Sequence, residues 1–363
     1  MKILYCSYSQ VPSDFANSIA VMKQCGALSK VTKLKVILIK GDSSEKKDVF
    51  SVYGVERFSL ILLPKWMLCF RELGLKVLVL LYALTYRPDV VYSRDILLNE
   101  WLCWFRIRNI YEIHQLDQVD AGFDHLYKKI LSRIMRRCEL QAVVSISDSL
   151  AGECVDFGVP GEKLTVMHSG VDLRECEDVP EMEMPDFPHD RPLAVYVGSL
   201  QKGKGVDRIL QMAEASSDYN FLIVGGAPEE IREMKNLRHI PKVTHDRALA
   251  YMREADFLLL PLTEQVYKFH SPLKLFEYLS MGKPVIASNN ADIREIMSHL
   301  ENGMLADPEL LGDFLEKMDQ VRGQQQLRER LEENARQTAA QFTWEVRAEK
   351  IICLIRRLRN AEK

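Results

Sequence analysis

Strand-like apolar runs alternate with amphipathic helical stretches along the whole chain. In the first half the predicted strands are Ile3–Cys6, Leu34–Ile39, Val90–Tyr92, Ile110–Ile113 and Ala142–Ser145. Helices are expected between them near Phe15–Lys30, Trp66–Tyr86, Phe123–Cys138 and Asp148–Phe157. The pattern restarts with Leu193–Val197, Asn220–Val224, Asp256–Leu260 and Pro284–Ala287, each beside a helix. Such βα alternation predicts doubly wound parallel sheets, here in two domains. Between the halves, residues 175–191 are rich in acids and prolines with almost no apolar period, and read as a linker. The expected organisation is therefore a domain over 1–174, the linker, a second domain over 192–343, and a tail over 344–363. That tail carries Val346, Ile351, Leu354, Ile355 and Leu358 near one face of a helix.

Composition narrows the class. A chain of 363 residues, 47% hydrophobic and 27% charged, has the length for two soluble globular domains. Its net charge of −3 is uneven, with 23 Lys and Arg against 19 Asp and Glu through Arg174 and 25 against 32 beyond it. That imbalance is too weak for a nucleic-acid binder. The eight cysteines contain no C-x-x-C pair, so free thiols are expected, with neither disulfides nor a zinc site. Lys2-Ile3-Leu4-Tyr5 already reads as a strand, so no signal peptide is expected and the location reads as cytoplasmic. The longest apolar run, Val77–Tyr86, is about half of what a membrane-spanning helix requires.

Chemistry concentrates in the second half. In residues 271–286, Ser271 and Pro272 open a helix, Gly282 closes it, and Pro284 leads into a strand. The free amides at such a helix start form an anion site, to which Leu273 belongs and Lys274 adds a charge. Glu277 follows within two turns and is suited to accept hydrogen bonds from the diol of a ribose. Upstream, the loop Gly198-Ser199-Leu200-Gln201-Lys202-Gly203-Lys204-Gly205 follows a strand. Its glycines allow close backbone approach, and Lys204 can meet a diphosphate. Neither the G-x-x-x-x-G-K-[ST] nor the G-x-G-x-x-G spacing is present. No Asp-x-Asp pair occurs, so a metal-bridged diphosphate is not expected. In the first half, Asn17 and Ser18 are suited to capping the first helix, and His114 ends a strand.

Ser-Pro-x-Lys-x-x-Glu-Tyr followed by Gly-Lys-Pro-Val-Ile-Ala resembles the donor-site signature of retaining glycosyltransferases of the GT-B fold, glycosyltransferase family 4. The resemblance implies two facing Rossmann-like doubly wound domains, with the tail crossing back onto the first and closure about the linker completing the site. It implies transfer of a sugar, with retention and without a metal or other cofactor, from a nucleoside diphosphate sugar to a hydroxyl of a glycan or lipid-linked acceptor, as in surface polysaccharide synthesis. On this resemblance Gly198, Ser199, Lys204 and Ser271–Lys274 hold the diphosphate and Glu277 the ribose. Asn17 and Ser18 lie by the diphosphate and acceptor, and His114 contacts the donor sugar. The chain departs from the family pattern at Ser199, where many members have Arg, and at Phe269, where a first Glu often stands. The basic amphipathic stretch 126–137 is a candidate contact for an anionic membrane, which would make the protein peripheral on the inner face of the plasma membrane. Two alternatives remain open: a sugar-nucleotide epimerase of the same fold, and a non-catalytic nucleotide-binding subunit.

Overall fold

The computed structural model describes residues 1–13, 15–41, 48–68, 73–117, 121–179, 181–187, 191–227, 231–263 and 273–360. Met1–Gly170 with Trp344–Lys363 form one compact unit, and Val171–Thr343 form the other.

Among the described residues, the first unit is built on seven parallel strands. These are β1 (Lys2–Val11), β2 (Lys33–Lys40), β3 (Ser59–Leu63), β4 (Val90–Ser93), β5 (Asn109–Ile113), β6 (Leu140–Ser145) and β7 (Leu164–Val166). They lie in the order β3-β2-β1-β4-β5-β6-β7. The second unit has β8 (Leu193–Val197), β9 (Asn220–Val224), β10 (Leu237–Ile240), β11 (Phe257–Leu260), β12 (Val285–Ser288) and β13 (Met304–Ala306). Their order is β10-β9-β8-β11-β12-β13. Strand order reverses between β1 and β4 in one sheet and between β8 and β11 in the other, which is where open α/β sheets hold ligands.

Central strands are buried on both faces. In β8, Ala194 and Tyr196 enter one core of the second unit while Val195 and Val197 enter the other. That double burial is why these strands read as unbroken apolar runs. The four strands that the sequence pattern did not single out, β3, β7, β10 and β13, are the four sheet edges. β7 and β13 are only three residues long and β10 has two polar residues at its centre, which weakens their apolar signal, whereas β3 carries an apolar run, Leu60–Leu63. β1 runs five residues beyond its expected end, through Ser7 and Ser9, with a register shift against β2 between Cys6 and Gln10. The two buried hydroxyls satisfy one another at 2.8 Å, so a polar stretch continues the strand.

Two expectations are corrected. Residues 175–191 do not form a bare linker. A short helix, Leu173–Glu177, is capped by the Asp172 carboxylate, which accepts from the Arg174 amide at 3.2 Å. Leu173, Cys176, Val179, Met182, Met184 and Phe187 then pack on the core of the second unit. Their near three-residue spacing supplies the burial that the acids between them hide. The chain leaves the first unit after Gly170 and returns at Trp344, in the helix Trp344–Asn360. The second correction concerns the first helix, Ala16–Val31. Its N-cap is Phe15, without a side-chain cap. Ser18 lies inside the first turn, and its hydroxyl donates to the Gln10 carbonyl at 2.8 Å, tying the helix to the end of β1.

The helix Ala121–Ile134 has much of its basic charge matched within the first unit. Lys128 pairs with Asp117 and Asp124, and Arg133 with Glu100; just beyond the helix, Arg137 pairs with Glu139. Among the described residues no helix is long and apolar enough to cross a membrane.

Candidate functional site

In the second unit the loop after β8 and the helix Leu273–Ser280 converge at the switch point between β8 and β11. The helix buries Leu275, Phe276, Tyr278 and Leu279, which leaves Lys274 and Glu277 at i, i+3 on a partly exposed side. Gly282, at φ +60°, ends it. The Tyr278 hydroxyl accepts from the Val197 amide at 2.8 Å, locking the helix to the end of β8. Tyr196 donates to the Ser199 carbonyl at 2.8 Å and holds the loop from its other side. The Thr263 amide donates to the Gly203 carbonyl at 3.1 Å, joining the loop to the chain leaving β11.

Lys274 Nζ lies 4.2 Å from the centroid of the Tyr196 ring. It occupies the space above Gly198, where a Cβ would stand 1.8 Å from that nitrogen. Burial depresses its pKa to about 7; the charge of Lys204 pushes it the same way and Glu277 opposes both. Burial lowers the Lys204 ammonium as well. Two cations from separate elements thus converge on one spot, each in a setting that disfavours its charge. Glu277 lies 3.7 Å from His245 Nε2, and the same nitrogen is 3.8 Å from Glu175. Ser199 is exposed on the loop. Ser271, Pro272 and Phe269 lie outside the described residues.

Gly205 permits the turn into the next helix at φ +74°, and a Cβ there would sit 1.7 Å from the Pro261 carbonyl oxygen. Neither the backbone oxygen nor the dihedral can yield cheaply. Gly205→Ala is therefore expected to cost roughly 2–4 kcal/mol, seen as a lowered urea midpoint. Gly198→Ala is strained as well, because Gly198 holds φ +153° and a Cβ there would also displace Lys274.

In the first unit the structure places His114 just past β5. Its Nε2 is 2.7 Å from Glu112 Oε1, and its Nδ1 is 3.1 Å from Arg94 Nη2, which projects from the end of β4. Glu112 is buried and also meets Arg347 Nη2 at 2.8 Å and the Tyr92 hydroxyl at 2.5 Å. Burial raises the Glu112 pKa, but Arg347, His114 and Arg94 outweigh it and hold the carboxyl well below its ordinary value. Asn17 is exposed in the first turn of the first helix, and Ser18 is buried. The structure thus assembles Gly198, Ser199, Lys204, Lys274 and Glu277 in one unit, and His114, Asn17 and Ser18 in the other.

Sequence reasoning did not find Tyr196, His245, Arg94, Glu112 or Arg347. Tyr278 was visible as the residue after Glu277 in the motif. Glu112 lies two residues before His114 and Tyr196 three before Ser199, so strand spacing could have found both, whereas His245, Arg94 and Arg347 come from elements distant in sequence.

Known proteins resemble both units. The chain matches Glycosyltransferase Family 4 over residues 34–175 and Glycosyl transferases group 1 over residues 180–338. It is 29% identical over 164 residues to an uncharacterized glycosyltransferase of Methanocaldococcus jannaschii, covering 43% of this chain and 45% of that protein. It is 26% identical over 212 residues to an amylovoran biosynthesis glycosyltransferase of Erwinia amylovora, covering 53% and 51%. The chain spans about half the length of these curated relatives. Among solved structures, HepE of Anabaena in complex with UDP has a TM-score of 0.74 at 15% identity, covering 97% of this chain and 98% of that one. The fold is GT-B, two parallel-sheet Rossmann-like domains. The two glycosyltransferase family matches lie in order along the chain, one in each half.

Proposed function

We propose that the second unit binds a nucleoside diphosphate sugar and that the protein transfers its sugar to a hydroxyl of a glycan or lipid-linked acceptor in surface polysaccharide synthesis. The observation that carries this reading is the convergence of Lys204 and Lys274 beside the Gly198 loop at the switch point. A bound diphosphate offsets the burial and the Lys204 repulsion that together lower Lys274, and the backbone at Gly198 lets it approach closely. Glu277, three residues along the same helix face, accepts the ribose diol. The Erwinia relative acts in amylovoran biosynthesis, which supports the acceptor class.

In this reading the two ammonium groups stabilise the charge that develops on the departing diphosphate, the place where preorganised electrostatics contribute most. The acceptor attacks from the face the diphosphate leaves, the diphosphate oxygen takes the acceptor's proton, and the anomeric configuration is retained. No metal is required for this scheme. His114 of the first unit is the residue that the family resemblance assigns to the donor sugar.

The test is a panel of nucleotide sugars assayed for release of free UDP or GDP, with binding followed by calorimetry. Glu277→Gln is expected to weaken UDP binding roughly 10- to 100-fold, the range for losing charged hydrogen bonds. It should also lose the preference for UDP over a 2′,3′-dideoxy analogue. Equal binding of UDP by wild type and variant would remove the ribose assignment. Conversion of the donor alone into an isomer would replace transfer by epimerisation.

A further inference from the structure

We propose that Arg94 and Arg347 are positioning residues that, together with Glu112, fix His114 as a neutral imidazole with its proton on Nε2. Glu112 sets the proton arrangement. Its side chain is buried and ionised, and a carboxylate only accepts, so the His114 nitrogen 2.7 Å away must donate. The other ring nitrogen, Nδ1, faces Arg94 Nη2 at 3.1 Å, and a guanidinium only donates. Nδ1 therefore carries the lone pair. A second proton there would point an N–H at a cation.

Arg347 keeps Glu112 in that role. From the C-terminal helix it reaches Glu112 through Nη2 at 2.8 Å, the Gln24 carbonyl oxygen through Nε at 3.0 Å, and the carbonyls of His168 and Met167 through Nη1. With its donors spread over three other elements, the guanidinium cannot swing away. Tyr92 and Gln24 complete the hydrogen bonds to Glu112. Tyr5, stacked on Tyr92, and Cys25 on the first helix also face this cluster, and burial raises both above their ordinary values so that they stay neutral. Burial and the neighbouring Arg94 depress His114 to about 4, consistent with the geometry. Without Arg347, Glu112 keeps only the longer ion pair to Arg94 Nε at 3.5 Å, and His114 is the adjacent group able to take up a compensating proton.

The inference touches the transferase reading only through the consequence that a donor sugar meets a fixed, uncharged ring. Its test needs no turnover. The full-length protein labelled with 15N-histidine is titrated by NMR from pH 5 to 8, with His114→Gln identifying the ring signals. In wild type the ring is expected to show the Nε2–H pattern and no titration in this range. Arg94→Met leaves the Glu112–Arg347 pair intact and is expected to raise the His114 midpoint by about two pH units. Arg347→Met is expected to move it in the same direction, and Arg347→Lys to restore the neutral ring. If Arg347→Met yields no folded protein, Arg94→Met decides. A wild-type ring that titrates between pH 5 and 8, an Nδ1–H pattern, or an unchanged midpoint in Arg94→Met overturns the proposal. A solely structural role would lower the melting temperature and leave the titration where it is.

Discussion

Lys274→Met raises the melting temperature of the ligand-free protein and, in the same molecule, weakens UDP binding about 100-fold. The two effects share one cause. The wild-type ammonium sits on the Tyr196 ring above Gly198, with Lys204 close enough to push its pKa down alongside burial. Its folded pKa, about 7, lies below the ordinary 10.5, so the folded state binds fewer protons than the unfolded chain between these values. Wild-type stability should therefore rise with pH through that window, and the burial penalty is fully present below pH 7. Methionine fills nearly the same volume without charge. The gain, after loss of the cation–π contact, is on the order of 1 kcal/mol, or roughly 2–4 °C. It should be largest near pH 6 and shrink toward pH 10. Binding moves the other way, because a charge-assisted hydrogen bond to phosphate contributes about 1.5–3 kcal/mol. Wild-type affinity should also fall as pH rises above 7, while the variant's stays flat. Thermal melts with and without UDP at several pH values check all of this. A melting temperature that drops, or an affinity that does not change, counts against an anion site at these lysines.

Arg347→Met produces the largest expected loss of stability, about 3–5 kcal/mol in the first unit. Arg347 and Glu112 are both almost fully buried and meet at 2.8 Å. Removing the arginine leaves the buried Glu112 carboxylate next to Tyr92 with only the longer ion pair to Arg94 at 3.5 Å. The acid limb identifies the group responsible. Glu112 has a depressed pKa in the folded state, so its contribution is present above the unfolded carboxylate value and is lost as pH falls through the folded one. The variant should show less of this acid dependence, and adding Glu112→Gln should recover part of the loss by removing the stranded charge. Urea unfolding from pH 3 to 7 for the two single variants and the double variant measures the coupling. Additive losses would show that the pair is not one unit of stability.

Central strands were legible because burial on both faces writes an apolar run of four or five residues into the chain, as at Leu34–Ile39 and Leu193–Val197. The segments that the family resemblance assigns to the donor were legible for a related reason. A loop that ends a strand and opens a helix keeps its glycines, its lysine and its acid within one local segment, whether at Gly198–Gly205 or at Lys274–Glu277. The reading of 175–191 failed because acids and prolines mask an apolar series whose partners are supplied by the core of the second unit. Ser18 was misread as a cap because its partner, the Gln10 carbonyl, becomes available only once β1 extends past Cys6.

What the chain by itself determined was the alternation of strands and helices and the two-domain plan. Each follows from interactions between residues close in sequence, or from how often apolar residues recur. What only the tertiary structure decided was the company these residues keep. Tyr196 lies under Lys274. His114 is held through Glu112 by an arginine that lies 235 residues further along than that glutamate. Such contacts join positions that no periodicity relates, and the free energy that selects them comes from desolvating charges together, which happens only when the units fold.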